Sequence, residues 1–129
     1  MKINLIVLLL AAVFMAPALA GAGMVTEDDF KAKTTLNLIN LCTASADDPK
    51  RDEAIHFCHG YLVGAYDFYT AAYSGPDFKP MICVPNPAPS RNEAINMFVE
   101  WAKAHPQYMN EKPVDTEFRF LMEKWPCKP

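Results

Sequence analysis

The sequence predicts a small all-α protein, a four-helix bundle stapled by two disulfides. Four segments carry apolar residues at helical spacing, and stretches rich in proline or turn residues separate them. No two segments alternate apolar and polar residues as paired β-strands do. The four cysteines all follow an N-terminal export signal, and exported chains are oxidised.

The export signal occupies residues 1–20. Lys2 precedes an apolar run over residues 5–15, and the segment ends in an Ala-x-Ala motif at Ala20, which is typical of signal cleavage. The run is short for a membrane span, which disfavours a retained anchor. We therefore expect cleavage after Ala20 and a single exported domain over residues 21–129.

The charge balance of the chain bears on its partners. The formal net charge is −3, and loss of Lys2 with the signal brings the mature chain to about −4. No cluster of Lys or Arg forms a basic stripe, so a nucleic-acid partner is disfavoured. A weak preference for a basic partner is expected.

The first helix is predicted from Thr26 to Cys42. Thr26-x-x-Asp29 resembles a capping box, and Phe30 and Leu38 belong to an apolar face with helical spacing. A turn rich in Ser, Asp and Pro follows and ends the helix.

The second helix is predicted from Arg51 to Tyr73 and is apolar on two neighbouring faces, which indicates a central helix packed on two sides. The faces comprise Ile55, Cys58, Leu62, Tyr66 and Tyr69, and beside them Phe57, Tyr61 and Phe68. Gly60 and Gly64 each cost up to about 1 kcal/mol of helix propensity. We expect them to allow the close approach of another helix.

A proline-rich loop follows from Ser74 to Pro89, where no helix or central strand is compatible with the proline density. Cys83 in its middle indicates that the loop is tied down. Loops of this length in small domains are commonly functional.

The third helix begins with the capping box Ser90-x-x-Glu93 and continues to His105. The fourth has Pro113 in its first turn. Its predicted apolar face comprises Val114, Phe118, Leu121, Met122 and Trp125.

Metal and nucleophile chemistry are both disfavoured. Cys42, His56, Cys58 and His59 match no standard zinc spacing, and exported thiols are usually oxidised. A Cys83–His105 nucleophile pair is disfavoured for the same reason. The residues predict a binding module with no catalytic residue, no metal site and no cofactor.

Four cysteines allow three disulfide pairings. If the third and fourth helices form an antiparallel hairpin, the loop before one and the tail after the other meet at one end. Pairing of Cys83 with Cys127 is then favoured and leaves Cys42 with Cys58. The second pair fits a tight hairpin imperfectly, because Cys58 lies about two turns inside its helix.

An ordered set of motifs resembles a known family. The motifs are Leu41-Cys42, Cys58-His59-Gly60-Tyr61-Leu62-Val63-Gly64, Cys83-Val84-Pro85, His105-Pro106 and Trp125-Pro126-Cys127. This pattern, from about Thr35 to Cys127, is similar to the Tai/Rap family of type VI secretion amidase immunity proteins. The resemblance implies a periplasmic all-α inhibitor, often dimeric, that occludes the active site of a peptidoglycan amidase effector.

The start of the proline-rich loop is the predicted partner-binding segment, because prolines preorganise it and two aromatic residues are available as anchors. The segment comprises Tyr73, Ser74, Gly75, Pro76, Asp77, Phe78 and Lys79. The alternative is that Phe78 and Met81 simply cover the end of the bundle.

Two other functions stay open. A periplasmic acid-stress chaperone of the Hde type is also small, helical, exported and disulfide-bonded, but it would lose structure in strong acid. An envelope enzyme is a third reading, because the lack of a recognisable catalytic motif argues only weakly against one.

Overall fold

The computed structural model describes residues 23–128, so the predicted signal peptide lies outside the described residues. Four helices confirm the all-α prediction: α1 (Thr35–Cys42), α2 (Arg51–Ala72), α3 (Arg91–Ala104) and α4 (Pro113–Lys124). Two short 3₁₀ turns, Asp29–Lys31 and Pro106–Tyr108, precede α1 and α4. Within residues 23–128 the only strand-like pairing is a single bridge between Ile82 and Pro126.

The first helix begins nine residues later than predicted. The backbone at Ala32 is left-handed, with φ of 43° and ψ of 43°, which ends the 3₁₀ turn and cannot be part of an α-helix. The cap of α1 is instead Thr34. Its hydroxyl accepts a hydrogen bond from the backbone N–H of Asn37, and its own backbone N–H donates to the side-chain oxygen of Asn37. Thr26 and Asp29 do bond to each other, but at the start of the 3₁₀ turn and not at the start of α1.

The later helix starts are as predicted. Ser90 and Glu93 form a reciprocal capping box at the start of α3. Pro113 is the first residue of α4, where its missing N–H is not needed. These starts are encoded by a few neighbouring residues, which explains why the sequence identifies them.

The long helix α2 buries one face and leaves the other open. Its buried residues are Ala54, Cys58, Leu62 and Tyr69. Phe68 is 72% exposed, so this member of the predicted second face does not pack in the chain. The expectation of close helix approach at Gly60 and Gly64 is wrong, because a Cβ at either position would meet no atom of residues 23–128 within 4 Å.

The core lies where all four helices meet, and α4 contributes Phe120 and Leu121 to it. Its largest fully buried side chains include Phe98, Leu38 and Leu41. At the start of α1, the Thr35 hydroxyl lies 2.6 Å from that of Thr116, and the Thr35 N–H donates to the Glu111 carbonyl. These bonds join the first helix to the last.

Both disulfides have the favoured connectivity. Cys42 is bonded to Cys58 across α1 and α2, with the Cα atoms 5.2 Å apart. Cys83 is bonded to Cys127, with the Cα atoms 4.9 Å apart. The backbone supports the second bridge, because the Cys83 N–H donates to the Trp125 carbonyl at 2.8 Å. The proline-rich loop is thus fastened to the C-terminal tail.

Candidate functional site

The predicted partner-binding segment is a projecting loop at the C-terminal end of α2. Of its seven residues, Phe78 is partly buried and the other six are exposed. The Phe78 N–H donates to the Gly75 carbonyl at 3.0 Å, which closes the tip as a tight turn. The structure therefore brings these residues together on one surface feature.

An aromatic cluster supports the base of this loop. The rings of Tyr73 and Phe78 stack with centroids 4.5 Å apart, and Tyr69 contacts both of them from α2. The Tyr69 hydroxyl accepts a hydrogen bond from the Met81 N–H at 2.9 Å. Phe78 packs against the core while Tyr73 remains 48% exposed and Met81 49% exposed. Phe78 thus covers the bundle end, and Tyr73 is the aromatic side chain offered outward.

The second half of the proline-rich loop forms one wall of an apolar groove with a volume of about 520 Å³. Helices α2, α3 and α4 supply the other walls. The lining residues are Leu62, Val63, Tyr66, Val84, Pro85, Asn86, Ala88, Pro89, Arg91, Ala94, Ile95, Phe98, Glu117, Phe120, Leu121 and Trp125. A groove of this size is typical of ligand-binding and docking sites.

Glu117 is the unusual member of this lining, and the sequence analysis did not identify it. The side chain is 4% exposed, and in the described part of the chain its Oε2 atom has no hydrogen-bond partner. Burial raises the pKa of Glu117 to about 9, so the carboxyl group is protonated at neutral pH. A buried polar atom without a partner is costly, and such atoms often mark functional sites.

The predicted face of α4 is rotated from the observed one. The structure buries Pro113, Thr116, Glu117, Phe120 and Leu121. Met122, which was predicted to lie in the apolar face, is exposed. The spacing of Glu117, three and four residues before Phe120 and Leu121, was the available signal.

The cysteines and His105 have structural roles. All four cysteines are in disulfides, so Cys83 has no free thiol to pair with His105. The His105 ring instead stacks on Trp101 with centroids 4.0 Å apart, and its Nδ1 atom contacts the Trp101 carbonyl at 2.7 Å. The His105-Pro106 motif therefore shapes the turn after α3.

Comparison with protein families decides the relationship. The family model described as Rap1a immunity proteins matches residues 34–127, which is most of the chain. The chain belongs to the Rap1a immunity protein family. As a member of this family it is an immunity protein for a type VI effector. No curated protein and no solved structure matches the sequence.

The matched region includes all four helices, both disulfides, the loop Tyr73–Lys79 and the residues that line the groove. It begins at Thr34, the cap of α1, and ends at Cys127, the last half-cystine. In residues 23–128 no helix is both long and apolar enough to cross a membrane.

Proposed function

We propose that this Rap1a family member is a periplasmic inhibitor that binds a peptidoglycan amidase effector and blocks its active-site cleft with the loop Tyr73–Lys79. The inhibitor needs no catalytic residue of its own. The observation that carries the proposal is the projecting loop, whose base is braced by the Tyr69 cluster and whose tip is exposed. Such a loop can enter a cleft without a large loss of conformational entropy.

The position of the loop supports occlusion rather than a diffuse contact. The tip is closed by the Phe78–Gly75 hydrogen bond, and the Cys83–Cys127 bridge fastens the chain four residues after the loop. Tyr73 provides an exposed aromatic ring at the edge of the loop, and tyrosine is among the residues that contribute most to protein interfaces. Export by the predicted signal at residues 1–20 would bring the protein to the compartment that holds peptidoglycan.

For the homodimer that the family resemblance implies, we propose the outer face of α2 as the contact surface. Phe68 is exposed there, and the positions of Gly60 and Gly64 are open. This face lies on α2, whereas the loop Tyr73–Lys79 follows the end of α2. Dimerisation and effector binding can therefore be tested separately.

The first experiment is capture of the effector and a test of inhibition. The oxidised mature protein, purified with a tag, is used to retain partners from envelope extracts of its own organism. The retained protein is then assayed for release of peptide fragments from purified peptidoglycan, with and without the mature protein. We expect a single stoichiometric amidase whose activity is inhibited.

The loop itself is tested with a matched pair of aromatic substitutions. Tyr73→Ala removes the exposed ring at the loop, whereas Phe68→Ala removes an exposed ring one turn earlier on α2. We expect Tyr73→Ala to weaken inhibition about tenfold or more and Phe68→Ala to leave it unchanged. Full inhibition by Tyr73→Ala would contradict the loop as the inhibitory element, and loss of inhibition in Phe68→Ala would show that the outer face of α2 is needed as well.

Several unrelated proteins retained only after acid treatment would contradict the inhibitor proposal and favour a chaperone. A retained effector with another enzymatic activity would keep the immunity role and replace the amidase as its target.

A further inference from the structure

The apolar groove contains a buried carboxyl group with one oxygen that has no hydrogen-bond partner in residues 23–128. Glu117 projects from α4 and is 4% exposed, and its Oε2 atom has no partner within residues 23–128. The surrounding side chains Leu62, Phe120 and Leu121 are apolar and buried, so they supply no donor. Folding alone leaves this group unsatisfied.

The charged and titratable groups around the groove do not compensate for this. On α2, Tyr61 and Tyr66 have pKa values raised mainly by burial. The carboxyl groups of Glu117 and Asp115, both on α4, also raise the pKa of Tyr61. Arg91 of α3 lines the groove but is exposed and lies close enough to His59 to lower its pKa, an effect second to burial. In the described part of the chain, no cation pairs with Glu117.

The chemistry of an occupant follows from these surroundings. The apolar walls suit an alkyl chain, and the floor suits a donor at the end of that chain. Lysine and arginine combine the two, because their stems bury well against apolar surface while their head groups donate. Because the buried Glu117 is protonated before binding, an incoming cation bears its own desolvation cost and the cost of ionising Glu117, and the ion pair must offset both.

We propose that the groove receives a lysine or arginine side chain of the effector, with the alkyl stem against the apolar walls and the cationic head group on the Glu117 carboxylate. The inference rests on the proposed function, since it gives the effector a second point of contact. The negative charge of the chain complements a basic group. The groove wall at Val84–Pro89 and the loop Tyr73–Lys79 belong to one covalent segment, so one partner can reach both.

Binding of this kind must move a proton. Glu117 is protonated at neutral pH, and only its carboxylate forms an ion pair with the cation. Docking of the cationic side chain therefore releases close to one proton from Glu117 to the solvent at pH 7. A neutral donor, such as a hydroxyl group, would bind the protonated acid and release none.

The test uses three small probes of equal chain length on the oxidised mature protein. They are n-hexylamine, n-hexanol and n-hexanoate, which present a cation, a neutral donor and an anion. Titrations at pH 7 follow the ¹³C signal of the Glu117 carboxyl carbon, and calorimetry in buffers of different ionisation enthalpy counts the protons released. We expect n-hexylamine to bind about tenfold or more tightly than n-hexanol, to ionise Glu117 and to release about one proton.

Variants assign the effect to the groove. Glu117→Gln keeps the shape and removes the ionisable group, so the preference for the amine over the alcohol should disappear. Ala94→Trp fills the groove and should abolish binding of both probes. Glu123→Gln changes an exposed carboxyl on the same helix and should behave as the wild type.

Three results would overturn the inference. They are equal binding of the amine and the alcohol without proton release, preferred binding of n-hexanoate, and no saturable binding of any probe. With the effector in hand, Glu117→Gln should weaken inhibition about tenfold. Full inhibition by Glu117→Gln together with its loss in Tyr73→Ala would refute the groove contact and leave the proposed function standing.

Discussion

Two buried carboxyl groups at opposite ends of the chain behave in opposite ways. Asp29 and Glu117 are each 4% exposed. Burial would raise the pKa of Asp29, but hydrogen bonds donated by Asn40, Thr26 and Asn37 outweigh it and lower the pKa below its usual value. Glu117 receives no such bonds in residues 23–128, and burial raises its pKa to about 9.

The two acids differ both in the donors that reach them and in how much protein surrounds the carboxyl group, and both differences favour a charged Asp29 and a neutral Glu117. The Asp29 carboxylate ties the 3₁₀ turn to α1 through Asn37 and Asn40, at 3.2 and 3.0 Å. It is therefore a completed part of the fold. Glu117 has the burial of a core residue without the bonds of one, and for this reason we assign it to binding rather than to stability.

The largest expected effect is a pH-dependent difference between the wild type and Glu117→Gln. The pKa of Glu117 is about 9 when folded, against an ordinary value of 4.5. The contribution of Glu117 to the free energy of unfolding is therefore complete below pH 4.5. It falls as the pH rises above 4.5 and is lost once the pH passes 9. From pH 5 to pH 8 the wild type should lose up to about 4 kcal/mol relative to Glu117→Gln.

Urea denaturation at several pH values measures this difference. Glu123→Gln is the control, and its free energy of unfolding should change with pH as that of the wild type does. If the wild type and Glu117→Gln lost stability in parallel, Glu117 would be ionised in the folded protein, and the contrast with Asp29 would fail.

The next effect is the loss of a satisfied carboxylate. Asp29→Ala should lower the free energy of unfolding at pH 7 by about 2–4 kcal/mol, because it leaves Asn37 and Asn40 without their acceptor. The sign of the pH dependence is opposite to that of Glu117. The Asp29 contribution is present above its ordinary value of 3.8 and is lost as the pH falls through its lowered pKa.

Asp28→Ala is the matched control, because this neighbouring acid is exposed and pairs only with Lys31 at the surface. Urea denaturation at pH 7 and at pH 3 compares the two variants. Equal stability of Asp28→Ala and Asp29→Ala at pH 7 would show that the Asp29 bonds contribute nothing.

A substitution with a smaller effect that does not depend on pH provides a reference for the pH dependences caused by Glu117 and Asp29. Gly60→Ala adds a methyl group on α2, where it meets no atom of the described monomer within 4 Å. The gain in helix propensity should stabilise the monomer by about 0.5–1 kcal/mol at every pH. Gly64→Ala should behave alike. A destabilised variant with an unchanged monomer structure would instead point to a partner packed on this face.

The sequence predicts the parts of the fold that are encoded locally. The Ser90–Glu93 box and Pro113 identify two helix starts within a few residues, and the connectivity follows from the expected hairpin of α3 and α4. The late start of α1 is not local. It depends on the left-handed Ala32, a conformation supported by Asp29 bonding to two side chains of the next helix.

The candidate site divides in the same way. The loop Tyr73–Lys79 was identified from its prolines and aromatic residues, and the structure places it on the surface. The groove was missed because its walls come from three helices and the loop, which only folding brings together. Glu117 was missed because burial of a carboxyl group is costly, so a glutamate in a helical pattern is ordinarily assigned to the solvent face.

The pairing of the cysteines also has a consequence for how the mature protein is made. Cys42 joins Cys58 and Cys83 joins Cys127, so each cysteine is bonded to its neighbour in the sequence. In a chain that crosses a membrane from its N-terminus, the first two thiols emerge before the third. An oxidase that joins thiols in their order of emergence makes both native bridges directly. If the chain is exported in this order, both native bridges can form without a rearrangement by a thiol–disulfide isomerase.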